Sequence, residues 1–295
     1  MILALTLHQF SDQLINGVTL GMLYILVALG LNIILGLMGV INFSHGSFYM
    51  LGAYMAYALA PTLGFAPSIL AAALIIGVLG MCFESTLIRP LYGRIPEYTL
   101  LLTFGTALIF EQAVRRIWGD DAVRFELPQA LSGSVGPGEW QFPLYKDVFL
   151  VATTIVILVL VWLLINRTNI GMIIRAGTRD SEMVNILGIN MPLMFTLVFG
   201  LGSFMAGLAG ALAAPIYAIQ PSLASEWIIL TFVIVIVGGI GSFWGAIVGG
   251  LLIGVVSSLM ELVWPPAVEM SGYFIMGVIL LLRPRGLFGV EGLFE

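Results

Sequence analysis

A short polar segment, Asn42-Phe43-Ser44-His45-Gly46, interrupts a long apolar stretch of the chain. Positions 13–83 contain no Asp, Glu, Lys or Arg. Asparagine, serine and histidine are costly in hydrocarbon unless they face protein or water. A broken helix also exposes backbone groups that a polar solute can meet. The segment therefore predicts part of a path for a polar solute. The alternative is an ordinary turn at the level of the lipid headgroups.

A second break, Gly238-Gly239-Ile240-Gly241-Ser242, interrupts the uncharged stretch 227–260. Its spacing resembles Gly36-Leu37-Met38-Gly39, which precedes the first polar segment. Paired breaks in two halves of a transporter indicate an internal repeat, and we expect the three glycines of the second break to shape the same path. The later spacing Gly245-xxx-Gly249 predicts close packing of helices instead.

A charged connector at positions 166–191 separates two apolar stretches. Thr178 is the expected N-cap of a short helix with acidic residues in its first turn. Met183, Ile186 and Leu187 give this helix an apolar edge at helical spacing. The mixed-sign charges around that edge favour docking to a cytoplasmic partner, and the alternative is a helix lying on the membrane. The residues expected at this contact are Gly171, Arg175, Ala176, Asp180, Glu182, Met183, Leu187 and Gly188.

Composition places these segments in a membrane. Hydrophobic residues make up 60% of the 295 residues and charged residues only 9%, against about 25% charged in a soluble domain. The uncharged stretches exceed the roughly 20 residues of one spanning helix. The sequence therefore predicts an all-α, polytopic transmembrane bundle of about 8–9 membrane segments, including short or broken helices. Two of the predicted spans cover residues 67–87 and 192–217. We treat residues 1–295 as a single domain.

The same composition excludes several classes of function. There is one cysteine, Cys82, and the two histidines, His8 and His45, lack the spacing of a helical metal pair, so no metal or other cofactor is expected. A net charge of −5 gives no basic face for nucleic acid. The only lysine, Lys146, follows Tyr145, so the Gly-Lys-Ser/Thr of a phosphate-binding loop is absent. Work driven by ATP would need an ATPase on another chain.

Arginines indicate the orientation of the chain, because cytoplasmic loops are enriched in Lys and Arg. Seven of them fall in alternate loops and predict a cytoplasmic location for those loops: Arg89, Arg94, Arg167, Arg175, Arg179, Arg283 and Arg285. The loop 119–146 and the N-terminus then face the periplasm, and the C-terminus faces the cytoplasm. Two acidic residues fall within spans, and we expect Glu84 to pair with Arg89 and Glu111 with Arg115.

The segment that begins at Asn42 and continues through Met50, Gly52, Ala53 and Tyr54 resembles the Asn-Phe-Ala-His-Gly-x-x-x-Met-x-Gly-Ala-Tyr motif of branched-chain amino acid ABC transporter permeases. Further similarities run along the chain. They are Asn16-Gly17-Val18, Arg89-Pro90-Leu91, the connector from Gly171 to Asn190, Gly238 to Ala246, and the terminal Arg283-Pro284-Arg285-Gly286-Leu287-Phe288-Gly289. The chain is identified as resembling the shorter of the two permease types.

The resemblance implies a permease domain in a bacterial inner membrane, in contact with the lipid bilayer, that is not itself an enzyme. Its implied partners are a periplasmic binding protein, two cytoplasmic ATPase subunits, and a second permease that is a paralogue or another copy of this chain. The connector becomes the expected contact with the ATPase. The implied solute is a branched-chain or similar small amino acid. Urea, short amides and aromatic acids remain alternatives, and an ion-coupled transporter or channel is the alternative class.

Overall fold

The computed structural model describes residues 7–136, 141–177 and 180–289, and helices dominate these ranges. The α-helices are α1 (Leu7–Met38), α2 (His45–Leu63), α3 (Phe65–Phe83), α4 (Pro96–Trp118), α5 (Leu150–Arg167), α6 (Asn169–Gly177), α7 (Ser181–Ile186), α8 (Met191–Ala213), α9 (Leu223–Gly238), α10 (Phe243–Val263) and α11 (Val268–Leu282). Two short strands, β1 (Ser134–Val135) and β2 (Phe142–Pro143), form an antiparallel pair. The predicted all-α bundle is confirmed.

Small residues let the central helices approach one another closely. On α1 and α10, a Cβ added to Gly254 would lie 2.5 Å from the Cα of Gly21. On α2 and α8, a Cβ added to Gly52 would lie 2.2 Å from the carbonyl oxygen of Gly207. Such contacts are typical of membrane helices, whose association depends on packing because lipid is as apolar as their side chains. The predicted packing of Gly245-xxx-Gly249 is confirmed, since a Cβ on Gly249 would lie 2.8 Å from the Ile234 carbonyl oxygen of α9.

The outer helices face lipid with large apolar side chains. Leu281 of α11 is 86% exposed, and only 11% of the apolar stretch within Pro265–Leu282 is buried. Six segments of the described chain are long and apolar enough to cross a membrane. They are His8–Met38, Phe65–Leu91, Leu144–Arg167, Met191–Ala213, Phe243–Val263 and Pro265–Leu282. Helices α2 and α9 pack against α8 and α10 of this set.

Both predicted helix breaks are present, and they meet in space. Helix α1 ends before Gly39, whose φ is +63°, and α9 ends before Gly239, whose φ is +102°. Glycine adopts such left-handed angles without the steric cost of a Cβ. The breaks touch where a Cβ on Gly36 would lie 2.6 Å from the Cα of Gly241. One turn earlier in α1, Asn32 Nδ2 donates to the Ser242 carbonyl and its Oδ1 accepts from the Gly241 amide, each at 2.7 Å. The internal repeat itself stays a prediction.

The two ends of the bundle differ, and we name them by what they carry. The connector end holds α6, α7 and the C-terminal segment, whose Leu287 amide donates to the Val237 carbonyl at 2.9 Å. The loop end holds residues 119–136 and 141–149, and two backbone hydrogen bonds of 2.9 Å between Val123 and Ile219 join the first of these ranges to the chain after α8.

Two predicted segment ends need correction. The span predicted over 192–217 ends at Ala213, because residues 214–217 form turns. The span predicted over 67–87 loses regular α-helix at Phe83 and continues as a π-turn, Glu84–Ile88, and a 3₁₀ turn, Arg89–Leu91. Pro90 has no amide hydrogen to donate, which accounts for the 3₁₀ turn Arg89–Leu91 at the end of this segment.

Candidate translocation path and coupling segment

The turn before α2 is held by α4. The Ser44 hydroxyl donates to the Thr103 carbonyl at 2.7 Å and lies 2.7 Å from the Thr106 hydroxyl oxygen. The Phe43 amide donates to the Thr103 hydroxyl at 3.2 Å. Ser44 is completely buried. The segment is therefore a turn packed on protein, and its part in a path stays a prediction.

Three buried polar side chains lie in and just before α2. His45 and Tyr49 are four residues apart and lie on one face of the helix, and Asn42 lies in the turn that precedes it. His45 Nε2 donates to the Val27 carbonyl of α1 at 3.0 Å, so Nδ1 of the neutral ring is an acceptor. We call these three side chains the α2 stripe.

The α2 stripe carries polar atoms with no hydrogen-bond partner among the described residues. They are both side-chain polar atoms of Asn42, Nδ1 of His45 and the hydroxyl of Tyr49. All three side chains are at most 1% exposed. Buried polar atoms in proteins are nearly always paired, so such a group needs an explanation. Chemically, the stripe offers an amide, an imidazole acceptor and a phenol to a polar solute.

Glycines at the predicted path residues permit backbone contacts. A Cβ on Gly46 would lie 2.1 Å from the Ala224 carbonyl oxygen, where α2 crosses α9. A Cβ on Gly238 would lie 2.2 Å from the Gly245 carbonyl oxygen, and one on Gly239 would lie 2.3 Å from the Gly289 amide nitrogen. These glycines pack against backbone at the break, whereas Gly241, with φ +78°, is more exposed. Their part in a path stays a prediction.

A buried carboxylate lies near the connector end, as predicted for Glu84. It accepts from Arg89 at 3.1 Å, from the Tyr92 hydroxyl at 2.5 Å and from the Thr196 hydroxyl at 2.6 Å. We call these four side chains the Glu84 cluster. Burial, together with the hydrogen bond to Glu84, raises the pKa of Tyr92 well above its usual value, so its hydroxyl stays a donor. Glu111 also pairs with Arg115, at 2.7 Å, as predicted.

The connector forms two helices rather than the single one predicted. Gly171, Arg175 and Ala176 belong to α6, and the rest of the predicted contact belongs to α7 or its ends. Thr178, the predicted cap, and Arg179 lie outside the described residues. The observed N-cap of α7 is Asp180, whose carboxylate accepts from the Met183 amide at 2.8 Å. Aspartate is a better cap than threonine, and its position sets the start of the helix.

This segment ends at a glycine. Gly188 follows the C-cap Leu187 with φ +88°, the left-handed conformation common just beyond helix ends. Asn190 caps α8 by accepting from the Leu193 amide at 3.0 Å. The sharp turn between α7 and α8 therefore leaves little free chain between the connector and the bundle.

A large cavity opens at the loop end, and the sequence had not indicated it. Its volume is about 870 Å³, and it lies between α1, α9, α10, α11 and the chain after α8. Its polar lining includes Gln13, Asn16, Lys146, Glu226, Glu261 and Glu269, and its aromatic lining includes Tyr24, Tyr217, Trp227 and Tyr273. A cleft of this size is typical of small-molecule sites. Among the described residues, no group of three or more His, Cys, Asp or Glu could hold a metal ion.

Six helical segments that are long and apolar enough to cross a membrane define the class of a multi-pass helical membrane protein. Residues 13–283 match the model of a family described as the permease component of branched-chain amino acid transport systems. The chain belongs to this family.

The sequence is similar to those of relatives from two bacteria, in two cases over nearly the full length of both chains. The chain is 29% identical to the high-affinity branched-chain amino acid transport system permease protein BraD of Pseudomonas aeruginosa, covering 96% of this chain and 97% of the relative. It is also 29% identical to LivH of Salmonella typhimurium, over 95% and 96% of the two chains. It is 27% identical to LivM of the same species, over 91% of this chain and 68% of the relative. No solved structure matches the chain.

Proposed function

We propose that this chain is the permease subunit of an ATP-driven ABC importer and forms the path for branched-chain amino acids delivered by a periplasmic binding protein. Family membership and the names of the relatives support this solute over urea, short amides or aromatic acids. The chain does not hydrolyse ATP itself in this proposal. The hydrolysis belongs to two separate ATPase subunits.

The proposed complex contains a second permease subunit. The chain is similar to LivM as well as to LivH, which supports pairing with a longer paralogue more than pairing with a second copy. We assign the connector end and the C-terminus to the cytoplasm and the N-terminus to the periplasm of the inner membrane. The arginines after α3, α5 and α11 support this orientation, because the positive side of a membrane protein is cytoplasmic.

The observation that carries the proposal is an exposed apolar edge on α7. Met183 is 52% exposed, Ile186 72% and Leu187 73%. The buried side of the same short helix, Val184, is only 5% exposed. An apolar edge that the subunit's own bundle leaves uncovered, with charged residues beside it, suits a groove on a partner protein. We infer that the partner is the ATPase.

The connector also packs on the bundle through buried side chains, which allows its movement to be transmitted. Val184 of α7 and Ile174 of α6 belong to a small buried apolar cluster with Leu37 at the end of α1 and Met191 and Val198 of α8. A Cβ on Gly177 would lie 2.7 Å from the Met191 side chain. Close-packed groups transmit strain, so movement of α7 is expected to reach α1 and α8, the central helices.

The test replaces one exposed apolar residue by a charge. Leu187→Asp should release the ATPases or uncouple ATP hydrolysis from uptake, because the charge would be buried in the groove. Asn185→Asp is the matched control, since it adds the same charge to the same helix at an exposed position away from the apolar edge. The measurements are copurification of the ATPases and leucine-stimulated ATP hydrolysis in proteoliposomes that contain the binding protein.

Loss in Leu187→Asp with normal behaviour of Asn185→Asp supports the proposed coupling. Normal copurification and transport by Leu187→Asp would place the ATPase contact elsewhere. Leucine uptake that continues without any ATPase subunit, driven by an ion gradient, would favour the alternative class of secondary transporter.

A further inference from the structure

The cavity at the loop end reaches deep into the bundle. Along α1 its lining extends from Gln13 to Tyr24, which corresponds to about 16 Å of helix axis at 1.5 Å per residue. Under the proposed orientation it opens toward the periplasm, the side from which a binding protein delivers its solute. Its volume of about 870 Å³ leaves room for a small molecule together with water.

The charges on the cavity wall favour a solute that carries an ammonium group. Glu226, Glu261 and Glu269 line the cavity with a single cation, Lys146. Lys146 Nζ donates to Asn16 Oδ1 at 2.7 Å, which keeps this cation at the wall. A cleft lined mainly by one sign of charge concentrates ions of the opposite sign. A zwitterion can meet both signs here, whereas a simple carboxylate meets a net negative wall.

Two buried aromatic rings form the floor of the cavity. The rings of Tyr24 and Trp227 pack edge to face with centroids 5.5 Å apart, and each residue is only 8% exposed. The more exposed Tyr217, on the wall, packs against Trp227 at 6.1 Å. Aromatic walls gain free energy by taking apolar surface out of water. Charged groups and aromatic rings that line one cavity match a molecule with a charged head and an apolar tail.

The floor separates the cavity from the α2 stripe. The ring of Trp227 stacks on that of Tyr49, with centroids 4.2 Å apart and planes 22° apart. Tyr49 belongs to the α2 stripe, and its buried hydroxyl has no partner among the described residues. The next polar atoms, along α2 and in the turn before it, are the unpaired Nδ1 of His45 and the amide of Asn42. A cavity, a stacked pair and unpaired polar atoms thus follow one another toward the connector end.

We infer that this cavity is the first binding site for solute on the permease and that it selects zwitterionic α-amino acids with apolar side chains. The glutamates bind the ammonium group and the rings of Tyr24, Tyr217 and Trp227 hold the side chain. The stacked pair of Trp227 and Tyr49 closes the way to the α2 stripe. This inference rests on the proposed function, and it adds the residues that recognise the solute.

The experiment measures protection of a cavity thiol in the assembled transporter without binding protein. Ala218→Cys lies on the cavity wall and is exposed, in a Cys82→Ser background. Ala122→Cys, exposed in the loop and absent from the cavity lining, is the control. We expect leucine to slow labelling of position 218 by an impermeant thiol reagent and to leave position 122 unchanged. The compound 4-methylpentanoate, which is leucine without its amino group, should give no protection.

Charge-removing variants test the recognition. Glu261→Gln should raise the leucine concentration needed for half protection roughly tenfold, because a hydrogen bond to a charged group is lost. Glu226→Gln is the second variant, used if the first does not assemble. The exposed loop residue Glu126 provides the matched control, Glu126→Gln, which should leave protection unchanged.

Leucine uptake by the Ala218→Cys transporter separates the two proposals. Uptake without protection overturns the cavity site and leaves the proposed function standing. Absence of leucine uptake, with uptake of urea or an amide, overturns the proposed solute and the cavity site with it. Equal protection by 4-methylpentanoate overturns the role of the glutamates. The role of the glutamates is also overturned if Glu261→Gln leaves protection by leucine unchanged and alters only the response to loaded binding protein.

Discussion

The Glu84 cluster and the α2 stripe are both polar and both buried, yet they differ in how completely their atoms are paired. Glu84 accepts from Arg89, Tyr92 and Thr196, so both of its oxygens have partners. The α2 stripe keeps only one side-chain hydrogen bond, from His45 to Val27, and leaves four polar atoms unpaired among the described residues. The Glu84 cluster joins the end of α3 to α8. The α2 stripe lies behind the floor of the cavity, where Tyr49 stacks on Trp227.

This difference separates structural polarity from functional polarity. A fully paired buried network rigidifies the fold. Removing one member leaves its partners buried without a hydrogen bond, which costs free energy. An unpaired buried polar atom costs free energy because it has lost its hydrogen bonds to water, so its removal should not destabilise the fold. We expect mutations in the Glu84 cluster to affect stability and mutations in the α2 stripe to affect transport.

The largest effect on stability is expected for Glu84→Ala. Breaking a buried pair costs several kcal/mol, but Arg89 is 38% exposed and water screens part of that cost. We expect a loss of about 2 kcal/mol in the free energy of unfolding, measured by titration with a denaturing detergent. Glu111→Ala, which removes a more exposed ion pair, is the control and should lose about 0.5 kcal/mol. Equal losses in both variants would contradict the special role of the Glu84 cluster.

The next effect is on transport. His45→Leu removes the imidazole acceptor of the α2 stripe and should lower leucine uptake roughly tenfold, the value of one hydrogen bond to a charged solute. The free energy of unfolding should change by about 1 kcal/mol or less, because a single hydrogen bond is lost. His8→Leu makes the same substitution at the other histidine, near the N-terminus, and should transport normally. Wild-type uptake by His45→Leu would show that the α2 stripe is structural.

The smallest effects compare two serines of the same segment. Ser44→Ala removes a hydroxyl that is bonded to α4 and should cost about 1 kcal/mol of unfolding free energy. The Ser47 hydroxyl is equally buried but has no partner among the described residues, so Ser47→Ala should cost nothing. Both variants should retain uptake. A loss of uptake in Ser44→Ala would extend the path to the side of α4.

The candidate site was partly predictable from the sequence. The polar segment at 42–46 and the apolar edge of the connector were recognisable because each differs in polarity from the residues around it. The start of α7 was predicted wrongly, because several capping residues occur in succession and Asp180, a better cap than Thr178, is the one used. The cavity was missed because its lining comes from positions as distant as Gln13 and Tyr273. The glutamates at helix ends near the loop, Glu226 and Glu261, were the available signal.

The sequence by itself determined that this protein crosses a membrane, where its helices break, and which side chains are too polar for lipid. These properties depend on local composition and on the cost of polar groups in hydrocarbon. Only the tertiary structure decided which polar groups are paired. Glu84 meets Thr196 and Asn32 meets Gly241 across more than a hundred residues of chain, whereas Asn42 meets no described partner. Pairing depends on which helices become neighbours, and close packing through glycines, rather than local composition, sets those neighbours.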